Sequence, residues 1–291
     1  MYDRILVPTD GSDQATTAVE TAIELAARFD ASLHVIHVVE LGELPPGLEE
    51  EGADAFARRG EEVLAGAEEL ATAAGWDVTT ATIEVPEPTH RAILDYAADQ
   101  DVDLIVMGTR GRTGFDRLAL GSVTEWTLRQ SPIPVLTVQD EVDSDSLFTS
   151  ILVPTDGSSC AESAASRAIE LAELADGTLH FIHVVDTGIL AGDVSAGNVL
   201  DELEAEGRRA LDRLIQRAEE ADVSTIEAAV LNGAPHRAIE EYTAENDIDS
   251  IVMGTHGRRG IDRYLLGSVT ERVVRHTDVP VLTFREEATG N

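Results

Sequence analysis

Residues 5–12 read ILVPTDGS, and residues 151–158 read ILVPTDGS again. The offset of 146 persists along the chain. Leu33-His34 and Ile36-His37-Val38-Val39 return as Leu179-His180 and Ile182-His183-Val184-Val185, and His90-Arg91-Ala92-Ile93 returns as His236-Arg237-Ala238-Ile239. Over positions 5–39, 22 of 35 residues are identical to their copies, and over 106–125, 15 of 20 are. A constant offset without net insertion means one domain written twice, so whatever one copy folds into, the other must fold into as well. The expected organisation is a first domain at 1–138, an acidic, solvated linker at 139–147, and a second domain at 148–291.

Each copy alternates short apolar runs with longer amphipathic stretches. In the first, β-type runs fall at Arg4–Val7, Leu33–Val39, Val78–Val85, Leu104–Met107 and Pro134–Val138. Helical spacing fills 13–29, 49–74, 89–100 and 122–131. Strands that alternate with helices imply right-handed βαβ crossovers and a parallel sheet covered on both faces. The expected fold class is α/β, as two tandem Rossmann-like, doubly wound domains, each with a five-stranded parallel sheet. Ligands on such sheets lie beyond the carboxyl ends of the strands, where the winding reverses.

Composition narrows the chemistry. Fifty-five acidic residues against 21 basic ones give a formal charge of −34, and every basic residue is arginine. A chain without lysine excludes a P-loop, a Schiff base and a lysine general base. The negative field argues against nucleic acid and against anionic membrane surfaces, and it suits concentrated salt, where screening is short-ranged. One cysteine, Cys160, excludes an internal disulfide. With no basic-then-apolar opening and no apolar run of membrane length, the expected location is cytoplasmic.

Against that acidity, one loop is locally basic. After Met107 comes GTRGRTGFDRLALGSVTE, and after Met253 comes GTHGRRGIDRYLLGSVTE. Gly108, Gly111, Gly114 and Gly121 let backbone N–H groups approach a ligand. Ser122 opens a helix whose first N–H groups suit a phosphate, and Arg110, Arg112 and Arg117 face only Asp116. His256, Arg258, Arg259 and Arg263 take their place in the second copy. The alternative is structural: Ser122 with Glu125, and Ser268 with Glu271, have the spacing of capping boxes. At the end of the first strand, Asp10 or Ser12 is the expected helix cap, and both readings hold if Ser12 caps while Asp10 faces the cleft.

The spacing Gly108-x2-Gly111-x9-Gly121-Ser122, repeated as Gly254-x2-Gly257-x9-Gly267-Ser268, resembles the signature of ATP-binding universal stress proteins. The ILVPTDGS opening, the LHxIHVV strand and the closing PVLTV and PVLTF strands are similar to that family too, so the resemblance covers nearly the whole chain twice. It implies strand order 3-2-1-4-5. By resemblance, Pro8, Thr9, Asp10, Val38, Met107 and Gly108 line an adenosine pocket, and Gly111, Arg112, Gly121, Ser122, Val123 and Thr124 hold phosphates. The second set is Pro154, Thr155, Asp156, Val184, Met253 and Gly254, with Gly257, Arg258, Gly267, Ser268, Val269 and Thr270. Arg110 and His256 join these sets from the basic loop. The implied ligand is ATP, or ADP or AMP, with Mg²⁺ or Mn²⁺ held mainly by phosphates.

The resemblance implies a stress-response or signalling protein with little or no turnover. Slow ATP hydrolysis, self-phosphorylation at Ser122 and a ligand-free interaction module stand as alternatives. Nucleotidyltransferase-type enzymes of similar fold carry HxGH or KMSKS, and this chain has neither. The fifth strands, at sheet edges, invite pairing, either repeat with repeat as a pseudo-dimer or chain with chain as a homodimer. The second copy keeps the family's Gly233-Ala-Pro235, whereas the first has Glu87-Pro88-Thr89. His34 with His37, and His180 with His183, stand three apart on strands and face opposite sides, which suits satisfied buried histidines better than ligands. His90 and His236 are expected to face solvent at helix starts, Cys160 to fill a helix, and Trp126, whose copy is Arg272, to have no shared role.

Overall fold

A computed structural model of the chain describes residues 1–40, 49–111, 120–139, 142, 145–190, 196–257 and 266–285. It divides into two compact units, Met1–Ser144 and Asp145–Asn291. The first runs β1 (Arg4–Pro8), α1 (Asp13–Phe29), β2 (Ser32–Glu40), α2 (Glu49–Ala73), β3 (Val78–Val85), α3 (Thr89–Asp99), β4 (Leu104–Gly108), α4 (Ser122–Gln130) and β5 (Val135–Val138). The second repeats this as β6 (Ser150–Pro154), α5 (Ser159–Ala175), β7 (Thr178–Val185), α6 (Ala196–Glu220), β8 (Thr225–Asn232), α7 (Pro235–Glu245), β9 (Ser250–Gly254), α8 (Ser268–His276) and β10 (Val281–Phe284).

Every pairing within a unit is parallel, and the first sheet runs β3-β2-β1-β4-β5. The second runs β8-β7-β6-β9-β10. This is the doubly wound α/β fold that the alternating runs imply. From β1 the chain steps outward to β2 and β3, then returns past β1 to β4 and β5. The winding therefore reverses between β1 and β4, and a cleft opens beyond their carboxyl ends.

The strand sequences follow from burial on both faces. Ile5, Leu6 and Val7 are wholly buried, as are all five residues of β4, which is why both read as unbroken apolar runs. At the outer position β3 alternates half-buried and exposed residues from Ala81 to Val85, with a break at Thr80-Ala81. Helix α1 packs on β1 and β4, and α2 on β2 and β3, while α3 and α4 pack on each other. Gly108 permits α1 to approach β4 closely, since a Cβ there would lie 2.9 Å from the backbone carbonyl of Gln14. Gln139 and Leu147, the two ends of the expected solvated linker, are buried, at 5% and 1% exposure.

Candidate functional site

The carboxyl ends of β1, β2 and β4 and the starts of α3 and α4 enclose a cleft of about 820 Å³. Pro8, Thr9, Asp10, Val38, Met107, Gly108, Arg110, Gly111, Gly121, Ser122, Val123 and Thr124 all line it. Residues scattered over more than a hundred positions are gathered there because the sheet order sets β4 beside β1. Arg112, Gly114, Asp116 and Arg117 lie outside the described residues, as do Arg258, Arg259 and Arg263 of the copy.

Asp10 follows β1, where the chain turns into α1. Its Oδ1 accepts from the Ser12 N–H at 3.0 Å, while Ser12 Oγ accepts from the Ala15 N–H at 3.3 Å and caps α1. Capping and cleft-facing thus fall on different residues. Gly111 lies against the same carboxylate, and a Cβ built on it would stand 2.6 Å from Asp10 Oδ2. Any side chain at 111 would push into the Asp10 carboxylate, so glycine keeps that carboxylate at the cleft wall.

Ser122 opens α4 as expected, and the alternative reading of a capping box is not met. The N-cap is Gly121, with no side-chain cap bond, and Ser122 is the first helical residue and exposed. Glu125 pairs with Arg129 at 2.5 Å instead. The cap of α8 is likewise Gly267, and Glu271 pairs with Arg275 at 2.8 Å. A helix capped by glycine presents its first N–H groups with no side chain across them, and these groups carry the positive end of the helix dipole. Thr124 secures this end, its buried Oγ1 donating to the Gly108 carbonyl at 2.8 Å. Arg110 donates to Gln139 Oε1 at 2.9 Å, which fixes a guanidinium, rich in donors, on the same wall.

The other wall escaped sequence reasoning. Glu40, at the end of β2, accepts from both the N–H and the hydroxyl of Thr89, at 3.2 and 3.1 Å, and so ties β2 to the start of α3. His90 does not simply face solvent. It lines the cleft and stacks on Trp126, centroids 5.6 Å apart and planes at 21°, with Gln130 Nε2 3.4 Å from its Nε2. Burial, aided by the Arg91 charge and opposed by Glu40, holds the His90 imidazole below its ordinary pKa. A carboxylate closing a strand and an aromatic residue one turn into α4 were the visible signals.

The second unit reproduces the cradle. Asp156 Oδ1 accepts from the Ser158 N–H at 3.0 Å, and Thr270 Oγ1 donates to the Gly254 carbonyl at 2.8 Å. A Cβ on Gly257 would stand 2.4 Å from Asp156 Oδ2. His256, in the place of Arg110, has its Nδ1 2.8 Å from Thr255 Oγ1. Pro154, Thr155, Val184, Met253, Ser268 and Val269 occupy the strand ends and helix start that correspond to their first-unit copies.

The strand histidines are structural in both units. His37 Nδ1 lies 2.8 Å from the Thr9 carbonyl, and His183 Nδ1 the same distance from that of Thr155. His34 and His180 pair with the hydroxyls of Tyr96 and Tyr242 at 2.9 and 3.1 Å. Cys160 is buried, with its Sγ donating to the Phe284 carbonyl at 3.1 Å. Among the described residues no group of three or more His, Cys, Asp or Glu side chains is placed to hold a metal ion, and no helix is long and apolar enough to cross a membrane.

Fold and cleft define a doubly wound parallel α/β protein built of two like domains, each with a glycine-capped helix facing the switch point. The chain belongs to the universal stress protein family, whose model matches residues 1–139 and again 147–285. It is similar to the universal stress protein MJ0531 of Methanocaldococcus jannaschii, at 37% identity over 50% of this chain and 86% of that protein. At 28% identity it also matches the Synechocystis universal stress protein Slr1230, over 97% of this chain and 99% of that protein. The crystal structure of a universal stress protein from Archaeoglobus fulgidus superposes with a TM-score of 0.74 at 26% identity, covering 97% of this chain and 98% of that one.

Proposed function

We propose that each unit binds one adenine nucleotide, ATP or else ADP or AMP, and that the chain acts as a nucleotide-responsive stress or signalling protein without productive turnover. The carrying observation is the glycine-capped start of α4, opening with Arg110 into a cleft that Asp10 also lines. Helix N–H groups and a guanidinium suit phosphates, and a carboxylate at the switch point suits ribose hydroxyls or a base amine. Mg²⁺ or Mn²⁺ would be held mainly by the phosphates. The carboxylates among the described lining residues are Asp10, which accepts from the Ser12 N–H, and Glu40, which accepts from the N–H and hydroxyl of Thr89.

The test is to denature purified protein, identify any released nucleotide, and titrate ATP, ADP and AMP into the parent and into Gly121→Val and Gly267→Val. A Cβ at these positions would lie 3.2 and 2.9 Å from the Thr109 and Thr255 carbonyls. Loss of one site in each variant supports the reading, and no released nucleotide with no heat for any of the three overturns it.

A further inference from the structure

The two sides of the first unit's cleft offer opposite chemistry. On one side stand donors, the glycine-capped start of α4 and the Arg110 guanidinium. On the other, β2 ends at Glu40 and α3 begins at Thr89, with β1 lying between β2 and β4. Val38 and Glu40 are two apart on β2, so their side chains leave the same face of the sheet, and both residues line the cleft. Phosphates held at the start of α4 leave the rest of a nucleotide to reach this second side.

The Glu40 carboxylate is fixed there and remains charged. Its Oε2 accepts from the Thr89 N–H at 3.2 Å and from the Thr89 hydroxyl at 3.1 Å, which fills both lone pairs of that oxygen. Both donors are neutral, so they hold the carboxylate without cancelling its charge. They exist because the first copy has Thr89 where the second has Pro235, which carries neither an N–H nor a hydroxyl. Two bonds on one oxygen leave Oε1 as the acceptor that Glu40 can offer to a ligand.

We propose that Glu40 is the base-specificity residue of the first unit: Oε1 accepts from the exocyclic amine of a 6-aminopurine and repels the carbonyl oxygen of a 6-oxopurine. This rests on the nucleotide reading above. A hydrogen bond to a charged acceptor is worth roughly ten- to a hundredfold in affinity. A carbonyl facing the same carboxylate forfeits that bond and adds repulsion, so the selection works by rejection as well as by attraction.

The experiment compares ATP with ITP, which carries a carbonyl in place of the 6-amine, by titration calorimetry of the full chain with Gly267→Val silencing the second unit. The expected ITP-to-ATP ratio of dissociation constants is roughly ten or more. Glu40→Gln gives the sharper result. The Thr89 N–H still needs an acceptor, so the amide oxygen takes the place of Oε2, the amide NH2 faces the base, and the ratio falls below one. Purine riboside triphosphate, which lacks the amine, binds about tenfold more weakly than ATP to the chain with Glu40 and at least as tightly as ATP to the Glu40→Gln variant. The ratios measured with Glu40 in place stand as the test where the variant does not fold. A glutamate that only ties β2 to α3 would, on replacement, weaken all three ligands alike. An ITP-to-ATP ratio near one with Glu40 in place, or a ratio that Glu40→Gln leaves unmoved while ATP still binds, overturns this proposal alone. No binding of ATP, ITP or purine riboside triphosphate by the first unit overturns the nucleotide reading, and this proposal with it.

Discussion

Replacing Gly111 by alanine separates a binding glycine from a structural one. The added methyl would stand 2.6 Å from Asp10 Oδ2, a contact that cannot persist. Backbone strain is not the issue, because Gly111 is not among the glycines with positive φ. The obstacle is the far end of a side chain and not backbone, so the carboxylate must swing away, and its Oδ1 then leaves the Ser12 N–H that it meets at 3.0 Å. Losing that partly exposed bond costs about 1 kcal/mol, which moves the melting temperature of a domain this size by roughly 2–4 °C. A carboxylate no longer aimed at ligand hydroxyls forfeits charged hydrogen bonds of about 1.5–3 kcal/mol, or roughly ten- to a hundredfold in affinity. The signature is a small thermal shift with a large loss of ATP affinity, read by differential scanning and titration calorimetry. Gly257→Ala should do the same in the second unit, where the contact is 2.4 Å. A melting temperature that falls steeply, or an affinity that does not change, would refute the reasoning.

Other consequences follow from the same contacts. Gly66→Ala, in α2 with nothing within 4 Å of the new methyl, should instead stabilise by about 0.5–1 kcal/mol in urea titrations. Thr124→Val removes the hydroxyl that donates to the buried Gly108 carbonyl at 2.8 Å and should cost about 1–3 kcal/mol by the same titration. For pH, burial lowers the pKa of His34 and, against a raising pull from Glu227, that of His180. A folded-state pKa below the unfolded value near 6.5 means the unfolded chain binds more protons, so the stability these groups contribute is present above that pH and lost as pH falls through it. The difference in unfolding free energy between parent and His180→Gln should therefore narrow between pH 7.5 and 5.5. Finally, at a formal charge of −34, self-repulsion should make the melting temperature climb as KCl is raised from 0.1 to 2 M, and a flat response would contradict a salt-adapted surface.

Much of the fold was legible because its constraints are local or periodic. Helix α1 runs over Asp13–Phe29 as its apolar spacing requires, and β3 over Val78–Val85 as its alternation requires. Strand β4 read as a strand because both its faces are buried. Asp10 and Gly111 were legible as candidates, though their mutual contact, spanning a hundred residues, was not. At the start of α4, Ser122 opens the helix as read, whereas the capping box that the serine and glutamate spacing also suits does not form, because Gly121 is the cap. Glu40, His90 and Trp126 were missed for another reason. Their significance lies in a wall assembled from β2, α3 and α4, and the one cue, an indole whose copy is an arginine, reads in sequence as a sign of no shared role. In three dimensions Trp126 forms part of the first unit's cleft wall.

The most direct test of the account counts bound nucleotide. Equilibrium dialysis of the intact chain against labelled ATP with Mg²⁺ should saturate at two ATP per chain and fall to one in Gly111→Val and in Gly257→Val. Saturation at zero, with the chain folded by circular dichroism, would leave both glycine-capped helix starts as structural turns and contradict the proposed function.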